Sequence, residues 1–194
     1  YEMFMGPFEE PVPWNTNGLI GVRRFLERVL KLPTLSVGNL ESEEVTRALH
    51  KTIKKITTDI DGFGFNTAVA AMMSFVNEVY SAKSITNESL KMFAKILCPF
   101  APHVANELYE QLGGEGLVET SSWPQFDATL AADKEVSVAV QVNGKVRANI
   151  TVPAEASEAE VVALARAEEK VAKYLITEPK KIIYVPGRMV SFVV

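Results

Sequence analysis

Glu135-Val-Ser-Val-Ala-Val-Gln-Val-Asn-Gly-Lys-Val-Arg-Ala-Asn-Ile-Thr-Val-Pro153 decides the fold of the last third of the chain. Val136, Val138 and Val140 alternate with polar or small neighbours, and Val146, Ala148 and Ile150 do the same beyond Asn143-Gly144, so two antiparallel strands are expected. A two-residue Asn-Gly loop would pair Val142 with Lys145 and Val140 with Arg147, mixing apolar and polar faces. A three-residue loop, Val142 to Gly144, with Gly144 left-handed in a bulge, pairs Val140 with Val146, Val138 with Ala148 and Val136 with Ile150. The second register is expected, and it gathers Ser137, Gln141, Lys145, Arg147 and Asn149 on one solvent face. Downstream, Ser157-Glu-Ala-Glu160 fits a capping box opening a single helix with Val161, Leu164, Ala165, Val171 and Leu175 inward. Two further strands turn at Pro186-Gly187. Residues 134–194 therefore read as a small β-β-α-β-β domain.

Working upstream, residues 117–133 lose helical period and collect Ser121, Ser122, Pro124 and Asp127, the signature of a linker. Residues 18–116 read as helices. From about Leu19 to Leu32, Leu19, Val22, Phe25, Leu26, Val29 and Leu30 share one arc, and Pro33 is expected to end it. Ser42 can cap a second helix carrying Val45, Leu49, Thr52, Ile53, Ile56 and Ile60 inward. Asn66 is the expected cap of a third, with Val69, Met72, Met73, Val76 and Tyr80 inward; a methionine stripe of this kind is core. A fourth spans about Asn87 to Leu97, and a fifth runs from Pro102 to near Leu112, with Gly113 and Gly114 free for positive φ beyond it. Short connections make this an antiparallel helical bundle, so the fold class is α+β with several domains.

Composition excludes several functions. The single cysteine, Cys98, allows no internal disulfide and reads as a small buried residue near a helix end. Two histidines supply no zinc-ligand spacing. A formal charge of -4 is not that of a strongly basic nucleic-acid binder, yet an RNA needs only a local basic face. No apolar run reaches the roughly 20 residues of a membrane span, and no signal peptide is visible, so a cytoplasmic protein is expected. The chain opens at Tyr1 rather than methionine and reads as a fragment.

The closing stretch, Glu135 to Pro153 followed by Lys170-Val-Ala-Lys-Tyr-Leu175 and Lys181-Ile-Ile-Tyr-Val-Pro-Gly-Arg-Met-Val-Ser-Phe-Val-Val194, resembles the C-terminal domain of the bacterial-type leucyl-tRNA synthetases. Leu97-Cys-Pro-Phe-Ala-Pro-His103-Val-Ala-Asn-Glu107-Leu-Tyr109 is similar to the proline-proline-histidine signature of the anticodon-binding bundle in the class Ia leucine, isoleucine, valine and methionine synthetases, and Trp123-Pro124 falls where those proteins place Trp-Pro. Asn106 and Tyr109 depart from that pattern, where an acid and a tryptophan are expected; both are packing or capping positions. Tyr1-Glu-Met-Phe-Met-Gly-Pro7, Pro13-Trp-Asn15 and Gly21-Val-Arg-Arg-Phe-Leu-Glu-Arg-Val29 resemble the passage leaving the catalytic core, so residues 1–17 are expected to leave a core that lies elsewhere. The resemblance implies a parent that activates leucine with ATP and magnesium and joins it to leucine tRNA. The HIGH-type and KMSKS-type motifs are absent here and would lie upstream.

No catalytic constellation is present. The sequence holds no glycine-rich phosphate loop before a helix, no nucleophile with a plausible local histidine, and no carboxylate cluster beyond solvated runs such as Glu41 to Glu44. His103 reads as a first-turn residue satisfied by backbone or water. The chain alone is expected to be inactive and to hold neither cofactor nor metal. Basic faces remain: Arg23, Arg24, Arg28 and Lys31 on the first helix, Lys51, Lys54 and Lys55 on the second, Lys145 and Arg147 on the hairpin, and Lys180, Lys181 and Arg188 around the last turn. Such groups suit phosphate contacts, which position a structured RNA without base readout, although each also serves as an ordinary solvated face. The resemblance implies that the bundle meets the inner side of a tRNA and the C-terminal domain its elbow, in a monomer with no membrane partner. An autonomous RNA-binding or helical adaptor protein, or the same region of an isoleucine, valine or methionine synthetase, are the alternatives.

Overall fold

Glu41 joins the starts of two helices. Its Oε2 accepts the backbone N–H of Thr86 at 3.0 Å and the Thr86 hydroxyl at 3.1 Å. Its Oε1 accepts the hydroxyls of Ser89 at 2.7 Å and Thr46 at 3.0 Å. The carboxylate thus lies at the positive end of the helix Asn87–Leu97, where the helix dipole favours an anion. Glu41 is not part of a solvated acidic run, as the sequence led us to expect. The computed structural model describes residues 1–36, 40–175 and 177–194, and the chain forms two compact units, Tyr1–Ala132 and Asp133–Val194.

The first unit is the helical bundle, and its helices start where local chemistry places a cap. Helix α1 (Thr16–Lys31) begins earlier than the apolar arc suggests, because the Asn15 side chain accepts the N–H of Asn17. Pro33 does not end the helical course abruptly. It sits early in a 3-10 turn, Leu32–Leu35, where its missing N–H would have no partner. In α2 (Glu43–Asp61) the Ser42 side chain accepts the N–H of Val45, and Glu43 and Glu44 occupy the first turn. Helix α3 (Phe65–Ala82) starts from Gly64 rather than Asn66: the Thr67 hydroxyl donates to Gly64 O and to Asp59, which fixes the turn two residues earlier. Thr86 caps α4 (Asn87–Leu97), and Pro102 opens α5 (Pro102–Gln111). Gly113 takes φ 72° beyond α5, while Gly114 stays out of that region and packs on Tyr109, whose ring would lie 2.3 Å from any added Cβ.

Apolar faces meet in one core. Val29, Leu32, Val45, Ile53, Ile56, Met72, Val76, Leu90 and Leu108 are fully buried, and the Phe75 and Phe93 rings sit 5.1 Å apart. Phe75 and Val79 join the inward line of α3 although the expected stripe omitted them, whereas Leu19 of α1 is 41% exposed. Residues 117–132 are folded onto the helices rather than forming a linker. Val118 is buried and donates its N–H to Asn106 Oδ1 at 2.9 Å, the Trp123 indole donates to Thr57 Oγ1 at 2.9 Å, and the Asp127 N–H donates to His50 Nδ1 at 3.0 Å. Loss of helical period removed the periodic signal without removing the packing.

The second unit is a four-stranded sheet with helices on one face. Its elements are β1 (Glu135–Val142), β2 (Lys145–Pro153), α6 (Glu158–Ala167), α7 (Glu169–Ala172), β3 (Lys181–Val185) and β4 (Met189–Val193). The strand order is β2-β1-β4-β3, with β1 parallel to β4 and the other pairs antiparallel. The capping box at Ser157 and Glu160 forms as expected. The single expected helix divides at Glu168, whose ψ of 120° is extended, so α7 is re-phased: Val161, Ala165 and Val171 are buried but Leu164 is 49% exposed.

The hairpin corrects the expected register. Val142 pairs with Lys145 across a two-residue loop, with Asn143 at φ 49° and Gly144 at φ 77°, the two positive values of a type I′ turn. The apolar pattern survives because the register shifts beside Gln141. Gln141 pairs with Val146, Val140 with Ala148, Val138 with Ile150 and Val136 with Val152, leaving Arg147 as the extra residue of a bulge. Turn preference and face pattern are both satisfied, one after the other. The expected polar face is broken up in consequence. Val146, 56% exposed, takes the place opposite Gln141, Lys145 shares a face with Val142, and Arg147 lies 3.8 Å over the Tyr174 ring with a buried Nε that has no hydrogen-bond partner.

Two stability outcomes follow. Glu41→Ala removes an acceptor shared by four donors and is expected to destabilise the helical unit by about 2 kcal/mol, read from urea unfolding followed by Trp123 fluorescence. Arg147→Ala should speed amide exchange in β1 and β2 by an amount equivalent to about 1–2 kcal/mol, whereas Lys145→Ala should stay within about 0.5 kcal/mol. Equal exchange in the two variants would mean that the Arg147 stack contributes nothing to the bulge.

Candidate nucleic-acid interface

On α1, Arg24, Arg28 and Lys31 fall at i, i+4 and i+7 and so share a face. Their states differ. Arg28 is engaged within the fold: its guanidinium donates to Asn77 Oδ1 at 2.6 Å and lies 4.3 Å over the Tyr80 ring, and Tyr80 donates its hydroxyl to Arg28 O. It fastens α1 to α3. Arg23 pairs with Glu27 at 2.9 Å in the open, an exposed i, i+4 pair of small energetic weight. Arg24 and Lys31 are exposed and carry no ion pair among the described residues.

On α2, Lys51, Lys54 and Lys55 lie within four residues, on one side of the helix. Lys55 is held by both oxygens of Asp59, each at 2.6 Å, and Asp59 also accepts from Thr67. Lys54 is exposed with its ammonium 5.7 Å from the Phe126 ring, and Lys51 is half-buried.

The second unit sorts its basic groups by strand order. Lys145 begins β2 opposite the end of β1, Phe192 of β4 lies beside Val142, and Lys181 begins β3 opposite Val193. Lys145, Lys180 and Lys181 therefore stand at the same end of the sheet, although about 35 residues separate them in sequence. That end is tied together: Asn143 N–H donates to Phe192 O at 2.9 Å, Val194 N–H to Asn143 Oδ1 at 3.1 Å, and Lys180 N–H to Val193 O at 2.7 Å. All three lysines are exposed, without an ion pair among the described residues. Arg188, in the turn before β4, stands at the other end, and Arg147 is turned onto Tyr174. The twelve basic candidates thus divide into groups committed to the fold, Arg28, Lys55 and Arg147, and groups open to a ligand, chiefly Arg24 and Lys31 on α1, Lys54 on α2 and the three lysines of the sheet end.

Sequence reasoning missed the residues that hold these surfaces. Asn106 accepts from Val118, donates to Pro102 O at 3.0 Å and donates to Glu119 at 2.9 Å, so the position where an acid was expected is a clamp. The Asn106 bond holds the Glu119 carboxyl below the usual carboxylate range, helped by backbone donation. Cys98, 3.9 Å from Glu119, is pushed the other way, first by burial and then by that negative charge, which keeps it a thiol and a poor nucleophile. Tyr174, the partner of Arg147, gave no signal in the sequence. His103 is exposed in the first turn of α5. Among the described residues no group of histidine, cysteine and acidic side chains could hold a metal, and no helix is long and apolar enough to cross a membrane.

The comparisons with known proteins converge on one family. The anticodon-binding domain of tRNA ligase matches residues 43–163, from the first residue of α2 into α6. The leucine–tRNA ligase of Bdellovibrio bacteriovorus is 44% identical over 98% of this chain, and that of Chlorobium phaeobacteroides is 43% identical over all of it. The chain spans about a quarter of the length of these curated relatives, 25% in each case. Among solved structures, the ternary complex of Agrobacterium radiobacter K84 agnB2 LeuRS with tRNA and LeuAMS is similar at a TM-score of 0.83 and 30% identity, covering 98% of this chain and 28% of that one. With its five-helix bundle, its Trp123-Pro124 closure and a family match over most of its length, the chain belongs to the anticodon-binding domain family of tRNA ligases.

Proposed function

We propose that this chain is the tRNA-docking part of a leucine–tRNA ligase, with the two units holding a leucine tRNA through its backbone. The observation that carries the reading is the likeness to leucine–tRNA ligases along essentially the whole chain, second unit included. The geometry supports it: lysines from two separate strands stand at one end of a sheet, where ammonium groups can meet phosphates and position an RNA without reading bases. Shape recognition of a folded RNA needs no strongly basic protein, so the net charge of -4 is compatible with this role.

In this reading the parent enzyme activates leucine with ATP and magnesium and transfers it to tRNA, and those sites belong to a catalytic core of the same polypeptide. The residues described here supply binding and positioning alone. A cytoplasmic monomer fits that role. Accurate placement of the tRNA acceptor end in a distant site depends on such rigid backbone contacts, because proximity and orientation supply much of the advantage of an enzyme-bound reaction.

In the full-length enzyme, Lys145→Ala with Lys181→Ala is expected to weaken tRNA binding and to flatten the dependence of log affinity on log salt by about 0.7–0.9 for each phosphate no longer engaged. Leucine-dependent pyrophosphate exchange should be unchanged, which separates impaired docking from misfolding. Unaltered affinity and slope would return both lysines to the role of a solvated sheet end. The 194-residue chain alone should show neither pyrophosphate exchange nor aminoacylation, and activity above a matched blank would overturn the assignment.

A further inference from the structure

One cavity of the helical unit belongs neither to its core nor to its basic faces. It lies where the end of α4, the start of α5 and the segment after α5 come together. At about 370 Å³ it falls in the size range of small-molecule sites, about 300–1,000 Å³. Pro99, Pro102, Val118 and Trp123 give it apolar walls, and Cys98, buried and held as a neutral thiol, adds no charge. These walls are preformed. The Trp123 indole is fixed by its 2.9 Å bond to Thr57, and Asn106 holds both Val118 and Glu119, each at 2.9 Å. A site ordered before its ligand arrives loses less entropy on binding.

Two opposite charges line this cavity without meeting. Glu119 is kept ionised by the Asn106 bond, which holds its carboxyl below the usual range. Lys95, half-buried in the last turn of α4, carries no ion pair among the described residues, with Glu119 or with any other acid. Glu119 repels a phosphate or a simple carboxylate, and Lys95 repels a simple organic cation. A zwitterion with an apolar body satisfies both. Its carboxylate can face Lys95 and its ammonium Glu119, while its body lies against the two prolines, Val118 and the indole. We propose that this cavity binds a free α-amino acid with an apolar side chain. The site is independent of tRNA docking, because none of the basic groups left open to an RNA lines it.

L-phenylalanine titrated into the 194-residue chain tests it, followed by the indole N–H resonances of the two tryptophans. Trp123 should shift saturably, with a Kd on the order of 1 mM, while Trp14, outside the cavity, stays unchanged. Phenethylamine lacks the carboxylate and 3-phenylpropionate lacks the ammonium, so each should bind at least about five-fold more weakly. Lys95→Met should abolish the preference for L-phenylalanine over phenethylamine, and Glu119→Gln the preference over 3-phenylpropionate. If either variant fails to fold, the three ligands compared on the unaltered chain still decide. No saturable shift of Trp123 up to about 50 mM L-phenylalanine would overturn the proposal. Equal binding of phenethylamine would overturn it in favour of a cation site, and equal binding of 3-phenylpropionate in favour of an anion site. Preferences that survive both substitutions would place the ligand elsewhere and overturn it as well.

Discussion

The bulge at Arg147 resolves a conflict on which the whole second unit depends. Asn143-Gly144 demands a two-residue turn, because both residues sit at positive φ there. The apolar residues demand that Val138 and Val140 face Ile150 and Ala148. A strand has a side-chain period of two, so these demands differ by one residue and cannot both hold in a regular ladder. One extra residue on β2 reconciles them, and Arg147 is that residue. Its stack on Tyr174 joins the bulge to the segment following α7, so the irregularity is packed rather than frayed.

That single offset also distributes charge. With Arg147 withdrawn toward Tyr174, Lys145 remains at the open end of the hairpin. The parallel pairing of β1 with β4 then brings Lys180 and Lys181 to the same end from the far edge of the sheet. The helical unit follows the same economy. Arg28 is withdrawn to hold α3 and Lys55 to hold Asp59, while Arg24 and Lys31 stay exposed. In both units some basic side chains build the scaffold and their neighbours remain available, a division that charge counting cannot make.

Much of this architecture was legible because it rests on local chemistry. Ser42, Pro102 and the Ser157–Glu160 capping box mark helix starts by hydrogen bonds within one turn, and alternation marks β1. Features that failed to show in the sequence depend on distant partners or on compromise. Glu41 looked solvated because Thr86 and Ser89 lie some 45 residues away. Residues 117–132 looked like a linker because their anchors, Asn106, Thr57 and His50, sit on other elements. The hairpin was misjudged by treating turn type and face pattern as exclusive, when a bulge admits both. Among the candidate site residues, the sequence could name basic side chains but not their commitments, since Tyr80, Asn77 and Tyr174 give no hint in sequence of the arginines they bind.

Lysine acetylation read by mass spectrometry, with the full-length enzyme free and bound to leucine tRNA, tests docking at the sheet end most directly. Bound tRNA is expected to protect Lys145, Lys180 and Lys181 together, and to leave Lys170 and Lys173 on the helical side of the sheet as reactive as before. Unchanged reactivity at the three sheet-end lysines in a saturated complex would contradict docking there.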